Sequence, residues 1–158
     1  MMLGRLFPRQ FDNRFGGERA SLWLLTALVA LKLVIAVNSI LNTAAVASGA
    51  DGFDLHGYGE GGAAAVLMLF ALNAVGQVAL ALLCLLALWR YRSMVPFLYV
   101  LLLAEFIGRR LVIQAYAVDR ADTASIALTI NIAMLTILVL GLGLSLRPRK
   151  RPATKASR

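Results

Sequence analysis

Apolar residues in this chain come in blocks rather than in alternation with polar ones. Four blocks stand out, at 22–41, 63–88, 95–116 and 124–146. Each is close to the roughly 20 residues that a helix needs to cross the hydrocarbon of a bilayer. Within lipid only helices and closed barrels satisfy every backbone group, and barrel strands show period-two alternation over about ten residues. No such alternation is present, so the blocks predict four transmembrane helices. The polar stretches between them predict an amino-terminal segment at 1–21, an outer loop at 42–62, an inner hinge at 89–94, an outer turn at 117–123 and a tail at 147–158. Pro96 suits the first turn of the third helix, and Pro148 the position just beyond the fourth. The expected fold is all-α integral membrane: a four-transmembrane-helix bundle in one membrane domain covering 1–158.

Composition agrees with that expectation. Of 158 residues 60% are hydrophobic, mean hydropathy is +0.78, and 15% are charged against roughly 25% in soluble domains. The net charge of +8 is unevenly placed. Arg5, Arg9, Arg14 and Arg19 precede the first block, Arg90 and Arg92 lie in the hinge, and Arg147, Arg149, Lys150, Arg151, Lys155 and Arg158 follow the last block. The stretch at 43–62 holds Asp51, Asp54 and Glu60 but no Lys or Arg, and the outer turn holds Asp119, Arg120 and Asp122. Basic residues in short flanking segments mark the cytoplasmic face, so amino and carboxyl termini are both expected there. Trp23, Trp89 and Tyr91 fall at that interface and Tyr116 at the opposite one, as belt aromatics do. In a soluble protein this charge would point to nucleic acid. Here the membrane accounts for it, and the tail is expected to attract anionic lipid at about 1 kcal/mol per basic residue.

The first block is expected to remain in the chain despite a small-residue site at Ala45-Val46-Ala47. It is too long for a signal segment, and Lys32 interrupts it. Ahead of it, Phe7, Phe11 and Phe15 recur at helical spacing after Pro8, with Gly16-Gly17 as a break. That spacing fits both a short helix lying in the interface and an irregular tether with incidental aromatics.

Polar residues inside the blocks carry the only candidate chemistry. Lys32 and Glu105 each lie about 15 Å from the cytoplasmic end of their helix. A charge at the middle of a helix in lipid costs about 2.5–3.5 kcal/mol, so opposite charges at equal depth are expected to pair. Arg109 follows Glu105 by one turn on the same face. Arg110 points elsewhere, in the outer half, where it can reach towards headgroups. Asn73 and Gln77 sit one turn apart on the second helix, near Gly76 and Cys84. Asn131 and Thr129 lie on the fourth, and Asn38, Ser39 and Asn42 on the first. The expected intramembrane polar cluster is therefore Lys32, Asn73, Gln77, Glu105, Arg109 and Asn131, turned inward because lipid offers no partners. Such a cluster serves either as a hydrogen-bonded core that fixes helix register or as a binding site or ion path.

Much else is excluded. One histidine, His56 in a loop, rules out bis-histidine haem across the helices, and one cysteine, Cys84, rules out an intrachain disulfide. No nucleotide loop, nucleophile elbow or zincin helix is present, so no enzyme and no cofactor is expected. The acidic stretch from Asp51 to Glu60 lacks the ligand order of a calcium loop, and no metal is expected there.

The Phe11-Asp12-Asn13-Arg14 opening, the Asn38-Ser39-Ile40-Leu41-Asn42 stretch and Arg90-Tyr91-Arg92 together resemble the small, uncharacterised four-span inner-membrane proteins of bacteria. That resemblance covers most of the chain and implies a bacterial cytoplasmic membrane, with no chemistry attached. Two function classes remain. One is a non-catalytic accessory or assembly subunit, whose small residues (Ala71, Ala74, Gly76, Gly141, Gly143) permit close helix packing. The other is a small oligomeric transporter or channel using Lys32, Glu105 and Arg109. The expected partners are the lipid bilayer together with further copies of the chain or a larger membrane complex, and not nucleic acid. Single-cysteine labelling on intact and opened cells is expected to report Arg5 and Lys155 positions as cytoplasmic and the His56 position as external; a labelled tail on intact cells overturns the orientation.

Overall fold

Long runs of Leu, Ala, Val and Ile with no proline inside them wind into four long helices: α1 (Arg19–Leu41), α2 (Gly59–Arg90), α3 (Val95–Ala115) and α4 (Ala124–Leu146). The computed structural model describes residue 6 and residues 12–50, 52–116 and 124–148, with the side chains of 50 and 124–128 left aside. The expectations on Phe7, Pro8 and Phe11, on Asp51, on the outer turn and on the tail beyond Pro148 lie outside the described residues. Among the described residues the chain is all-helical, with no strand. Three helical stretches are long and apolar enough to cross a bilayer: Arg19–Leu41, Leu55–Arg90 and Thr129–Leu146. The remaining one, α3, has the length at 21 residues, but Glu105, Arg109 and Arg110 interrupt its apolar surface.

The segment at 42–62, expected as a loop, is largely helical. Asn42 Nδ2 donates to Asn38 Oδ1 at 2.8 Å, and Thr43–Ala45 and a π-helical stretch Val46–Ala50 continue from there. Asp54 Oδ1 accepts from the His56 backbone N–H at 3.1 Å and so caps a 3-10 turn, Leu55–Tyr58. That turn runs directly into α2, which begins at Gly59 rather than near 63. The expectation started late because each glycine in Gly59-Glu60-Gly61-Gly62 costs about 1 kcal/mol of helix propensity. A preformed turn offsets this by supplying the nucleus.

At the other end α2 and α3 meet in a tight hinge. The Tyr91 N–H donates to Ala87 O at 2.8 Å, and Arg92 Nε donates to Leu88 O at 3.1 Å, so the last carbonyls of α2 are satisfied. Pro96 occupies the first turn of α3. The amino-terminal segment docks on this hinge. Ser93 Oγ donates to Asp12 O at 2.9 Å and accepts from the Asp12 N–H at 3.1 Å. The Glu18 N–H donates to Leu144 O at 3.2 Å, capping the end of α4. Gly17 makes that approach possible, since a Cβ there would overlap Ser145 O and press on the Phe15 ring. Residues 12–18, the hinge and the last turn of α4 thus share one end of the molecule.

One core joins the four helices: Leu25, Leu28 and Val29 of α1, Ala81, Cys84 and Ala87 of α2, Val95, Leu98, Tyr99 and Leu102 of α3, and Leu138 of α4. Tyr99 is its pin. Its hydroxyl donates to Ser21 O at 2.6 Å, linking α3 to α1, and its ring lies against Gly141 of α4, where any Cβ would overlap it. Trp23 and Trp89 stand exposed at this end and Tyr116 at the far end of α3. Overpacking a core site costs about 1–3 kcal/mol. Gly141→Leu is therefore expected to lower the melting temperature of the detergent-solubilised protein markedly, and Tyr99→Leu in the same chain to restore part of it. An unchanged melting temperature in Gly141→Leu means that Tyr99 does not hold α4.

Candidate functional site

Glu105 stands at the middle of α3, and its carboxylate draws on three helices. Lys32 of α1 donates from Nζ to Oε2 at 2.9 Å, and Gln77 of α2 donates from Nε2 to Oε1 at 3.0 Å. Arg109, one turn along α3, brings Nη1 to 3.5 Å from Oε1. Each donor is also near the middle of its own helix. Lys32 lies about 20 Å from the start of α1 and Gln77 about 20 Å from the end of α2, at helical rise. Because α1 and α3 begin, and α2 ends, at the hinge end, the three side chains arrive at one depth.

Burial separates the two cations. The side chains of Lys32 and Glu105 are 10% and 18% exposed, while that of Arg109 is 49% exposed. Lys32 makes a short, enclosed, charge-assisted bond, and Arg109 a longer and partly open one. Charge-assisted bonds of this kind are about twice as strong as neutral ones, and they gain further in surroundings of low dielectric. Two cations on one anion leave one positive charge in excess, carried at the open side by Arg109. Both carboxylate oxygens are engaged, one by Lys32 and one by Gln77, so the acid joins helices.

The remaining residues of the expected cluster are placed differently. Asn73, one turn from Gln77, is exposed, and Asn131 is half-buried on α4. The sequence placed Asn73 and Gln77 on one face, and they do share it. On α1, Ser39 is buried and returns its hydroxyl to Ile35 O at 2.9 Å, and the Asn38 amide pairs with Asn42. Thr26 and Thr136 likewise donate to the carbonyl one turn back. These hydroxyls are satisfied within their own helix and need no partner helix. Arg110 holds its guanidinium carbon 5.8 Å from the centroid of the Phe106 ring, a cation–π contact on its own helix. Among the described residues no buried side-chain nitrogen or oxygen lacks a partner, and no three His, Cys, Asp or Glu side chains converge as metal ligands. Periodicity gave no sign of Tyr99–Ser21 or Asp12–Ser93, since each joins residues far apart in the chain through a backbone group.

No protein-family model, curated protein or solved structure matches this chain.

Removing one partner of an enclosed ion pair is far more damaging than removing both. Lys32→Met leaves the Glu105 carboxylate only the longer, half-exposed Arg109 contact and the neutral Gln77 amide, at a cost of up to about 3 kcal/mol, the scale for a charge at the middle of a helix in lipid. Lys32→Met combined with Glu105→Gln is expected to recover most of that loss, and thermal unfolding in detergent measures both. Equal destabilisation in the single and double variants excludes the pair as a unit.

Proposed function

We propose that this chain is a four-span protein of a bacterial cytoplasmic membrane, with both termini cytoplasmic, acting as a non-catalytic accessory or assembly subunit. The observation that carries this reading is the closed coordination of Glu105, whose two oxygens are bonded by Lys32 and Gln77 from separate helices. An acid held in this way fixes the register of α1, α2 and α3 and leaves the outer helix surfaces free to dock. Those surfaces are apolar: Leu69, Leu72, Leu83 and Leu86 of α2 and Val139 and Leu140 of α4 are all exposed. Neutralisation of Glu105 against its neighbours also supports α3 as the fourth span, because the acid in its centre no longer opposes insertion. The orientation draws support from Arg14, Arg19, Arg90, Arg92 and Arg147, which belong to the segments gathered at the hinge end.

A small oligomeric transporter or channel is the second reading, and the half-exposed Arg109 is what favours it. Glu105→Gln separates the two. The subunit reading expects a several-fold fall in the amount of protein in the membrane fraction, and the wild-type chain eluting from detergent extracts with stoichiometric copies of itself or of a larger complex. A normal membrane level, together with loss of an ion or solute flux that wild-type proteoliposomes support, overturns it in favour of transport.

A further inference from the structure

The amino-terminal segment and the end of α2 form a cavity at the hinge. Its volume is about 400 Å³, and Asp12, Asn13, Trp89, Arg90 and Tyr91 line it. Small-molecule sites span roughly 300–1,000 Å³, so a lipid headgroup fits this space. The Asp12 wall is fixed in place. The Asp12 N–H donates to Ser93 Oγ at 3.1 Å, and Asp12 O accepts from Ser93 Oγ at 2.9 Å and from the Ser93 N–H at 3.2 Å. Asp12 Oδ1 accepts from the Arg14 N–H at 3.2 Å, which orients the carboxylate. Arg90 stands on another wall, at the last residue of α2. Opposite charges thus line one cavity, yet among the described residues neither enters an ion pair: Glu105 takes part in both that form. The cavity holds a carboxylate and a guanidinium apart.

That pair of charges selects the occupant. A simple anion in the cavity would be repelled by Asp12, and a simple cation by Arg90. A zwitterion satisfies both, its phosphate on the guanidinium and its ammonium on the carboxylate, each through charge-assisted hydrogen bonds. The surface adjoining the cavity is apolar. Leu82, Leu86 and Trp89 recur along one face of α2 and are 54%, 47% and 76% exposed. This stripe leads from the cavity towards the middle of α2, which is long and apolar enough to cross a bilayer. A headgroup in the cavity therefore lays its acyl chains along Leu86 and then Leu82, deeper into the hydrocarbon, in the direction a membrane lipid takes. Among zwitterionic headgroups the hydrogen bond to Asp12 decides. A primary ammonium donates N–H to the free Oδ2, whereas a trimethylammonium has no N–H to give.

We propose that the hinge cavity holds the headgroup of one phosphatidylethanolamine, its ammonium on Asp12 and its phosphate on Arg90, with the acyl chains along Leu86 and Leu82. The site rests on the membrane reading of α2, with the hinge end at headgroup level, and not on the fourth span. Native mass spectrometry of the full chain, equilibrated in mild detergent with equal amounts of phosphatidylethanolamine, phosphatidylcholine and phosphatidylglycerol, tests it. The wild type is expected to retain one phosphatidylethanolamine per chain in preference to the other two. Asp12→Asn keeps the oxygen that accepts from the Arg14 N–H and the backbone bonds to Ser93, so the wall stays in place. It is expected to lower phosphatidylethanolamine retention about ten-fold, the scale of a lost hydrogen bond to a charged group, while phosphatidylglycerol retention does not fall. Arg90→Gln is expected to weaken retention of all three lipids, and Arg90→Lys to weaken it less. Arg110→Gln, at the other end of the molecule, is expected to keep wild-type retention. Equal retention of the three lipids, the wild-type preference persisting in Asp12→Asn, or loss in Arg110→Gln sinks the site. A wild-type preference for phosphatidylglycerol also overturns it, since the basic residues of this end would give that without a cavity. Displacement of the lipid by an equal amount of glycerophosphoethanolamine, which lacks acyl chains, removes the role of Leu82 and Leu86 and with it the lipid. Cysteine labelling that finds the Glu60 and Arg90 positions on one side of the membrane removes the membrane path of α2 and the site together. Equal retention of the lipids with those positions on opposite sides removes the site alone.

Discussion

An acid at the centre of a largely apolar helix must be neutralised by side chains from neighbouring helices, and this constraint organises the molecule. Glu105 is bonded by Lys32 of α1 and Gln77 of α2, with Arg109 in loose support. Uncompensated, the charge would oppose insertion by about 3 kcal/mol. Compensated, it sets the relative height of three helices, because sliding any one by a turn would move its donor about 5 Å away from the carboxylate. Apolar packing against lipid-like neighbours lacks that discrimination, since leucine surfaces slide on one another at little cost.

A second fastening at the hinge end works by shape rather than charge. Tyr99 fills the space between α1 and α4, reaches Ser21 O with its hydroxyl, and rests on the bare backbone of Gly141. Around it the α2 contribution to the core is Ala81, Cys84 and Ala87, small side chains that let α1 approach closely. The amino-terminal segment completes the closure, bonded through Asp12 to Ser93 and through Glu18 to Leu144. Beyond the polar tie at Glu105, α1 and α2 continue to pack through small residues, with Ala36, Ala74 and, in the helical continuation of α1, Ala47 buried.

Hydrophobic length made the helices legible, and equal depth made the Lys32–Glu105 contact legible, since both follow from rise per residue. The place of Arg109 followed from one-turn spacing. Periodicity could not reveal which polar residue on a face finds a partner: Asn73 and Gln77 share a face, yet Gln77 bonds Glu105 and Asn73 is exposed. Gly17 and Gly141 read in the sequence as a break and as a small packing residue; what each actually admits, Ser145 O and the Tyr99 ring, lies far away in the chain. Continuation of the first helix to 47 was within the reach of its apolar pattern, but the turn at Leu55–Tyr58 was not legible because it depends on a short-range side-chain bond at Asp54. Glycine-rich composition pointed to a loop there, and local hydrogen bonding overrode it.

The same ion pairing that ties Glu105 to its neighbours leaves the cluster unbalanced in charge. One carboxylate faces two cations, and the enclosed Lys32 has the better geometry, so the surplus falls on the half-exposed Arg109. A surplus cation at the far side of a tight core can be carried at low cost only if an anion meets it there or its side chain reaches headgroups. On the four-span reading both routes lead to the bilayer rather than to the interior of the protein. The cluster therefore has two faces with different consequences: inward, a tie that holds three helices in register, and outward, a positive charge on the half-exposed Arg109.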